Sequence, residues 1–309
     1  MQHTLKIIYM GTPEFAVPGL KILLENGFNI VAVVTVPDKP SGRGLQLQQS
    51  AVKQFALANN IPVLQPEKLK NEEFISTLRS FQADLQVVVA FRMLPEIVWN
   101  MPRLGTLNLH ASLLPDYRGA APINHVIING EMITGATTFF LKHAIDTGDI
   151  LFSEIIDIEE DDNAGTLHDK LMHLGAELIL KTVTAIEEGN YTPTPQTKSS
   201  QKIAPKIFKE DCLINWNNTT ENIRNFIRGL SPYPGAYTIV NNKSLKIFKA
   251  EKEISPHNET PGKLITDNKS YLKFATTDGY ILVKELQSEG KKRMTTSDFL
   301  RGNNLSIIN

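Results

Sequence analysis

Residues 5–25 read LKIIYMGTPEFAVPGLKILLE, an apolar run that ends at a glycine and is followed by apolar residues at helical spacing. The β-branched run Leu5–Met10 predicts a strand, and Glu14–Glu25 predicts an amphipathic helix. Between them, Gly11-Thr12-Pro13 predicts a tight turn, with Pro13 near the helix start, where its missing N–H is tolerated. A strand, a turn and a helix in this order are typical of an α/β protein with a parallel sheet.

The same alternation continues over the first 190 residues. Predicted strands are Ile30–Val36, Asp84–Ala90, Thr106–His110, Thr134–Leu141 and Ile150–Ile158; predicted helices are Ala51–Asn59, Asn71–Phe81, Ile123–Asn129 and Thr166–Glu188. Thr166 and Asp169 form a capping pattern that predicts the start of the last helix. We therefore expect an α/β domain over residues 1–190, with a Rossmann-like, mostly parallel sheet and helices on both faces.

The pattern changes after residue 190. Residues 191–205 contain three prolines and no periodicity, which indicates a linker. Beyond it, one helix is predicted at Thr220–Leu230, and short strands are predicted at Leu245–Ala250, Gly262–Thr266, Tyr271–Thr276 and Tyr280–Leu286. This spacing predicts a small OB-like β-barrel domain over residues 206–309.

Charge is unevenly distributed along the 309 residues. The formal net charge of −1 is the balance of an acidic part, residues 1–201 at −7 by count, and a basic part, residues 202–309 at +6 by count. Because binding follows local patches rather than the total charge, the basic part remains compatible with a nucleic-acid partner.

Cysteine content and hydropathy indicate the compartment. One cysteine, Cys212, cannot form an internal disulfide, which favours a reducing environment. No apolar run reaches the roughly 18–20 residues that a membrane helix needs, and the N-terminus does not have the pattern of a signal peptide. We expect a cytoplasmic protein with no membrane partner, and a monomer.

Neither a nicotinamide cofactor nor a metal ion is indicated. Pro13 and Phe15 stand where a dinucleotide loop needs glycine, which argues against an NAD-dependent dehydrogenase. The carboxylates near Asp146 do not have the spacing of an EF-hand, and His168 and His173 lie on different helix faces. We expect no NAD and no metal.

The stretch Leu107-Asn108-Leu109-His110 carries the first candidate site residues. On a strand, Asn108 and His110 project from one face about 7 Å apart and could together hold a carbonyl oxygen. Taken alone, the pair favours the simpler interpretation of two polar residues at a strand end that are satisfied by loop backbone. The long loop that follows, residues 112–122, is a typical place for function; Pro122 then predicts a helix start, and Gly130 its C-terminal cap.

The combined motifs resemble a known family. Asn108-Leu109-His110, Ser112-Leu113-Leu114-Pro115, residues 117–122 (YRGAAP) and Asp146-Thr147-Gly148 have the order and spacing seen in the 10-formyltetrahydrofolate-dependent formyltransferases. Residues 37–44, 205–207, 290–294 and 299–302 extend the resemblance over nearly the whole chain. It implies transfer of a formyl group from 10-formyltetrahydrofolate, as cosubstrate, to the α-amino group of methionine esterified to initiator tRNA.

The resemblance also implies roles for individual residues. Asn108, His110 and Asp146 correspond to the catalytic trio: Asn108 and a protonated His110 would donate to the developing oxyanion, and Asp146 would favour the imidazolium and help remove the amine proton. Folate contacts are expected at Phe91, Arg92, Met93, Leu94, Ser112, Leu113, Leu114, Pro115 and Asp146. Contacts with tRNA are expected at Lys39 and Arg43 of a flexible basic loop, residues 38–44, and at Lys206, Lys209, Lys246, Lys249, Lys291, Lys292 and Arg293.

Two other functions stay open. An amino-sugar-nucleotide N-formyltransferase would share the trio, and Phe91-Arg92, where many family members have Tyr-Gly, leaves room for it. The basic C-terminal part argues against that alternative. A catalytically inactive tRNA-binding protein would keep the basic part without needing Asn108, His110 and Asp146 together.

Overall fold

The first strand of the central sheet, β1, runs from Lys6 to Gly11 and is buried after its first residue. The computed structural model describes residues 3–41, 46–196 and 202–303. After β1, a single 3-10 turn, Glu14–Ala16, precedes helix α1, so the predicted helix Glu14–Glu25 has two parts. Tyr9 is fully buried, and its hydroxyl donates to the Ala16 carbonyl at 2.7 Å. This bond ties the turn to the strand.

Ten strands and six helices are described up to Glu188. The strands are β1 (Lys6–Gly11), β2 (Asn29–Val34), β3 (Lys39–Ser41), β4 (Gln46–Gln48), β5 (Val63–Leu64), β6 (Leu85–Val89), β7 (Thr106–His110), β8 (Arg118–Gly119), β9 (Ile133–Phe140) and β10 (Ile150–Asp157). The helices are α1 (Val17–Glu25), α2 (Ala51–Ala58), α3 (Glu72–Ser80), α4 (Glu96–Trp99), α5 (Pro122–Ile128) and α6 (Ala164–Glu188).

Seven strands form the central sheet, in the order β10-β9-β7-β6-β1-β2-β5. The pairs among β7, β6, β1, β2 and β5 are parallel, and β9 runs antiparallel to β7. The carboxyl ends of β1, β6 and β7 therefore meet at one edge. The strand order reverses between β1 and β6, and ligands of open α/β sheets bind at such a reversal.

Helices cover both faces, because successive side chains of a strand point in opposite directions. Ile8, Met10 and Val88 pack against Phe74 and Leu78, the latter two from α3. On the opposite face, α6 packs so closely that a Cβ atom on Gly175 would lie 2.6 Å from the Leu109 side chain. The predicted mostly parallel sheet with helices on both faces is confirmed.

A second sheet forms from the C-terminal part of the chain. Its elements, after the short strand β11 (Ile203–Ala204), are α7 (Thr220–Gly229), β12 (Ala236–Val240), β13 (Lys243–Ile254), β14 (Leu264–Thr266), β15 (Leu272–Ala275), β16 (Gly279–Ser288), β17 (Met294–Thr295) and α8 (Thr296–Gly302). The antiparallel order β12-β13-β16-β15-β14, with β17 beside β16, gives a curled half-barrel. Ile223 and Ile227 of α7 lie in its core beside Ile247, Phe274 and Ile281.

The chain divides into two compact units. The first comprises Met1–Gly119, Thr134–Ile156 and His168–Ile203, and the second comprises Ala120–Ile133, Asp157–Leu167 and Ala204–Asn309. Among the described residues, no helix has both the length and the apolar character needed to cross a bilayer.

One predicted helix start is wrong. Helix α6 begins at Ala164, and its cap is Asn163, whose Oδ1 accepts from the N–H groups of Gly165 at 2.8 Å and Thr166 at 3.2 Å. The Thr166 hydroxyl donates instead to Asp162. Asparagine is at least as good a cap as threonine, and Asn163 lies three residues earlier. Its side chain therefore accepts from the free N–H groups of the first turn.

Candidate active site

Strand β7 holds Asn108 and His110 on one face of the central sheet. Asn108 pairs with Val88 of β6 on one side and with Phe139 of β9 on the other, so its backbone is fixed by two neighbours. Its side chain is partly exposed and makes no hydrogen bond to another described residue. The Asn108 amide N–H groups are therefore available to a substrate oxygen.

The imidazole of His110 is buried, and a hydrogen bond at one of its two nitrogens fixes its orientation. Its Nε2 donates to the carbonyl oxygen of Tyr117 at 2.9 Å. Because a carbonyl oxygen only accepts, Nε2 carries a hydrogen and Nδ1 is the nitrogen left for chemistry. Tyr117 is itself held, since its N–H donates to the Lys202 carbonyl at 2.7 Å.

Asp146 faces the free nitrogen of His110. Its Oδ2 lies 3.9 Å from His110 Nδ1 and accepts the N–H of Gly119 at 3.0 Å. A separation of 3.9 Å is too long for a direct hydrogen bond. It allows one further nitrogen or oxygen atom to lie about 2.8 Å from both groups, at an angle near 90°. The pair is thus built to share a third polar atom.

The turn that carries Asp146 has an unusual backbone. Asp146 has φ +53°, in the left-handed region, which is uncommon for a residue other than glycine and is retained where surrounding contacts enforce it. Gly148, two residues later, packs against β9: a Cβ atom there would lie 1.6 Å from the Phe140 carbonyl oxygen. Only glycine permits this approach.

We expect Gly148→Ala to destabilise the first unit by on the order of 1–3 kcal/mol, because the added methyl group displaces either the turn or β9. Urea unfolding measures this loss. Gly302→Ala is the control, since a Cβ at Gly302 meets nothing within 4 Å and its helix favours alanine. Equal stability of the Gly148→Ala variant and the parent would contradict the packing described.

Thr137 anchors the loop after β7 and pairs with His110 across the β7–β9 ladder. Its hydroxyl donates to the Ser112 carbonyl at 2.7 Å and accepts the Leu114 N–H at 3.1 Å. Of the predicted folate contacts in this loop, Ser112 and Leu114 are buried, and the Ser112 hydroxyl donates to the Asp116 carbonyl; Leu113 and Pro115 are partly exposed. The loop is therefore hydrogen-bonded to β9 at the residue that pairs with His110.

The other predicted folate segment, Phe91–Leu94, follows β6 at the same sheet edge. Arg92 turns away and donates to the carbonyls of Pro66 and Glu67, whereas Met93 is 73% exposed. Met93 and Leu94 line an open groove of about 780 Å³, whose other walls are Leu69, Lys70, Pro95, Glu96 and Ile97. Glu96 also lies 3.3 Å from Nε2 of His143, three residues before Asp146. The groove thus borders the segment that leads to the Asp146 turn.

Lys39 is an exposed residue of strand β3, which pairs with β4 in antiparallel register, and does not lie in a loop. Asp38, the residue before this strand, accepts hydrogen bonds from Lys53 at 2.5 Å and Gln65 at 2.7 Å. These two contacts hold the pKa of Asp38 below its usual value. Arg43 lies outside the described residues.

The predicted tRNA contacts of the second unit fall into two groups. Lys246 donates to the Pro234 carbonyl at 2.7 Å, and Arg293 forms an ion pair with Glu285 at 2.6 Å. The remaining cations are exposed and form no ion pair with a described carboxylate: Lys206, Lys209, Lys249, Lys291 and Lys292. These five lysines are therefore accessible to an anionic partner.

Within the described ranges, no cluster of three or more His, Cys, Asp or Glu side chains is arranged to hold a metal ion. Three residues near the trio escaped sequence reasoning: Tyr117, Thr137 and Gln196. Tyr117 lies in a motif already noted, whereas Thr137 has no sequence signal of its own, because its role depends on the antiparallel pairing of β9 with β7. Gln196 gave no signal, because it lies in the segment predicted as a linker.

The family comparison covers both parts of the chain. Residues 5–183 match the family described as formyl transferase, and residues 206–304 match the family described as formyl transferase, C-terminal domain.

Curated relatives are similar over nearly their full length. A methionyl-tRNA formyltransferase from Bacteroides fragilis is 55% identical, over 99% of this chain and 97% of the relative. Another, from Bacteroides thetaiotaomicron, is 53% identical over 99% and 98% of the two chains. A third, from Flavobacterium johnsoniae, is 50% identical over 96% of each.

Solved structures with similar folds are more distant. The sugar 3N-formyl transferase WlaRD, crystallised in the presence of dTDP and 5-N-formyl-THF, is 25% identical with a TM-score of 0.68, over 94% of this chain and 100% of WlaRD. HypX from Aquifex aeolicus is 18% identical with a TM-score of 0.67; the match covers 98% of this chain but 49% of HypX. HypX therefore supports the fold alone.

Proposed function

The chain belongs to the methionyl-tRNA formyltransferase family, and from this premise we propose that it transfers the formyl group of 10-formyltetrahydrofolate to the α-amino group of methionyl-tRNA. One observation carries the proposal at the level of chemistry. Asn108 offers a free amide donor on the same strand face as His110, whose Nδ1 lies 3.9 Å from Asp146. An amide, an imidazole and a carboxylate in this arrangement suit acyl transfer to an amine.

Each group of the trio has a defined task in this proposal. Asn108 donates to the formyl oxygen, where negative charge develops as the new C–N bond forms. Asp146 accepts the proton that the attacking amine loses, directly or through water. As an imidazolium, His110 donates from Nδ1 to the developing oxyanion and then releases that proton to the departing folate nitrogen. The proton that Asp146 has taken up then returns to Nδ1 and restores both groups. The Tyr117 carbonyl keeps the ring in the required orientation throughout.

The groove beside Met93 and Leu94 fits the folate cosubstrate. Its volume of about 780 Å³ is in the range of small-molecule sites, and its walls are mainly apolar, as an aromatic ligand requires. Lys70 is the basic residue among its walls and would face the anionic tail of a folate. The remaining proposed folate contacts follow β6 and β7 at the same sheet edge: Phe91, Arg92 through its backbone, Ser112, Leu113, Leu114 and Pro115.

The wider setting follows from the same premise. We assign catalysis to residues 1–190, a linker to 191–205 and tRNA binding to 206–309, with initiator tRNA as the acceptor. Lys39, Arg43, Lys246 and Arg293 remain proposed contacts beside the five unpaired lysines. A cytoplasmic monomer that needs no metal and no NAD is the form we expect to act.

Sequence identity argues against the sugar-nucleotide alternative. The relatives that are 50–55% identical are named for methionyl-tRNA, whereas the sugar 3N-formyl transferase is 25% identical. The free amide of Asn108 beside the His110–Asp146 pair argues against an inactive tRNA-binding protein.

A single comparison of acceptors tests the proposal. Purified protein is incubated with 10-formyltetrahydrofolate and either methionyl-tRNA or a dTDP-linked amino sugar, and formylated product is scored by mass spectrometry. We expect formylmethionyl-tRNA and no formylated sugar. Product from the sugar alone would replace the proposal with the first alternative, and binding of tRNA without any product would replace it with the second.

A further inference from the structure

Gln196 uses both ends of its side chain at the candidate active site. Its Nε2 donates to the carbonyls of Asp146 at 2.9 Å and Gly148 at 2.7 Å. Its Oε1 accepts from Nε of Arg118 at 3.1 Å and also from Nη2 of the same guanidinium. One neutral side chain therefore connects the Asp146 turn to Arg118.

The backbone places Gln196 there with little freedom. Two residues earlier, Thr194 exchanges hydrogen bonds with Ile150, at 2.9 and 2.8 Å, so the segment runs beside the start of β10. Gln196 therefore lies against the turn that immediately precedes β10. Part of the segment that the sequence predicts as a linker is thus built into the first unit.

These contacts close a ring around the Asp146 carboxylate. Asp146 Oδ2 accepts the N–H of Gly119, the residue after Arg118, while Gln196 joins Arg118 to the Asp146 carbonyl. Both sides of the Gly119–Asp146 contact are therefore held by the same glutamine. Because Asp146 has a left-handed backbone, its carboxylate keeps its direction only while the turn is held.

The neutrality of Gln196 matters as well. Arg118 is partly buried and forms no ion pair with a described carboxylate, so the amide oxygen holds its guanidinium without adding negative charge. A carboxylate at position 196 would instead place a second negative charge near Asp146. Two of its lone pairs would then face the carbonyls of Asp146 and Gly148, which need donors.

We propose that Gln196 is a positioning residue for formyl transfer, acting through the Asp146 turn and Arg118 without contacting the reacting groups. This inference rests on the proposed function. The segment 191–205 then supplies a residue that positions Asp146, in addition to joining the two parts of the chain.

Two variants distinguish the contacts of Gln196 with the Asp146 turn from its contacts with Arg118. Gln196→Met keeps the length but removes every hydrogen bond, and Gln196→Glu keeps an acceptor for Arg118 while losing the donors to the turn. We expect kcat to fall about 10- to 100-fold in both variants, the loss associated with misplacing a catalytic group by about 1 Å. The KM for methionyl-tRNA should change less than about threefold. Thr192→Met, an exposed position of the same segment, is the matched control with unchanged kcat.

A double-mutant experiment identifies the route of the effect. In an Asp146→Ala background, Gln196→Met should lower kcat no further, because the group it positions is already absent. The same fold-loss in both backgrounds would overturn the proposal, as would unchanged kcat in the single variants. A variant that only lowers the folded fraction would fail this test, since its effect would persist without Asp146.

A structural readout keeps the inference separate from the proposed function. The ¹⁵N–¹H signal of Gly119 reports its hydrogen bond to Asp146 whether or not the protein formylates methionyl-tRNA. We expect this signal to shift in Gln196→Met and to stay unchanged in Thr192→Met. A shifted signal in an enzyme inactive on methionyl-tRNA would refute the substrate assignment alone, and an unshifted signal would refute the role of Gln196.

Discussion

Alanine substitution of Asn108, of His110 or of Asp146 should lower kcat for formyl transfer by about 100- to 1,000-fold. A loss of this size is typical when one oxyanion donor is removed. For Asn108 the reason is the free amide, which no described residue occupies and which a formyl oxygen can accept from. For His110 and Asp146 the reason is their proposed tasks in proton transfer, carried out 3.9 Å apart. The carboxylate accepts the amine proton, and Nδ1 supplies the proton to the departing nitrogen. Steady-state kinetics with methionyl-tRNA measures kcat and KM separately.

Two neighbours provide matched controls for these substitutions. His143 is 77% exposed at its side chain and contacts Glu96, so His143→Ala tests the loss of an imidazole nearby. Asp149 pairs with Lys142 at 2.7 Å, so Asp149→Asn tests the loss of a carboxylate from the same turn. Both should retain kcat within about threefold. Near-normal turnover of an alanine variant of the trio would remove that residue from the mechanism.

The His110→Ala, Asp146→Ala double variant sharpens the result. If the two groups act as one unit that takes up one proton and releases another, the double variant should be little slower than the worse single variant, because residues that act as a unit are strongly non-additive. Multiplicative losses would indicate two independent roles. The affinity for methionyl-tRNA, measured separately, should be unchanged in His110→Ala, in Asp146→Ala and in the double variant.

The sequence predicts those parts of the site that depend only on residues close together in the chain. Alternation along β7 puts Asn108 and His110 on one face, and the bounds Thr106–His110 are those predicted. Pro122 starts α5, as its fixed φ favours, and Gly130 follows that helix with φ +71°. Such features need only a few neighbouring residues to be decided.

The parts that escaped prediction depend on distant contacts. Thr137 reaches the loop at Ser112 only because β9 runs antiparallel to β7, and Gln196 reaches Asp146 across 50 residues of chain. Lys39 is predicted in a loop, but it lies on β3, which pairs with β4. No periodicity in the sequence encodes contacts of this kind.

Replacing Lys291 and Lys292 together by alanine should weaken tRNA binding roughly 10- to 30-fold near 0.15 M salt. Both lysines lie in the connection between β16 and β17, where the Lys291 carbonyl accepts from Gln287 at 2.7 Å, so the backbone is fixed while the charges face solvent. If each lysine neutralises one phosphate, the slope of log Kobs against log salt should become shallower by about 1.8. Filter binding across a salt series measures both quantities.

The matched control removes the same charge from paired positions. Lys263 and Lys273 form ion pairs with Glu259 at 2.7 Å and Glu253 at 2.8 Å, so their charges are already compensated by neighbouring carboxylates. The Lys263→Ala, Lys273→Ala double variant changes net charge by the same amount but should leave the salt slope unchanged. Equal loss of affinity in both double variants would mean that only the overall charge of the basic part matters. A steep slope retained without Lys291 and Lys292 would move the phosphate contacts to Lys206, Lys209 and Lys249.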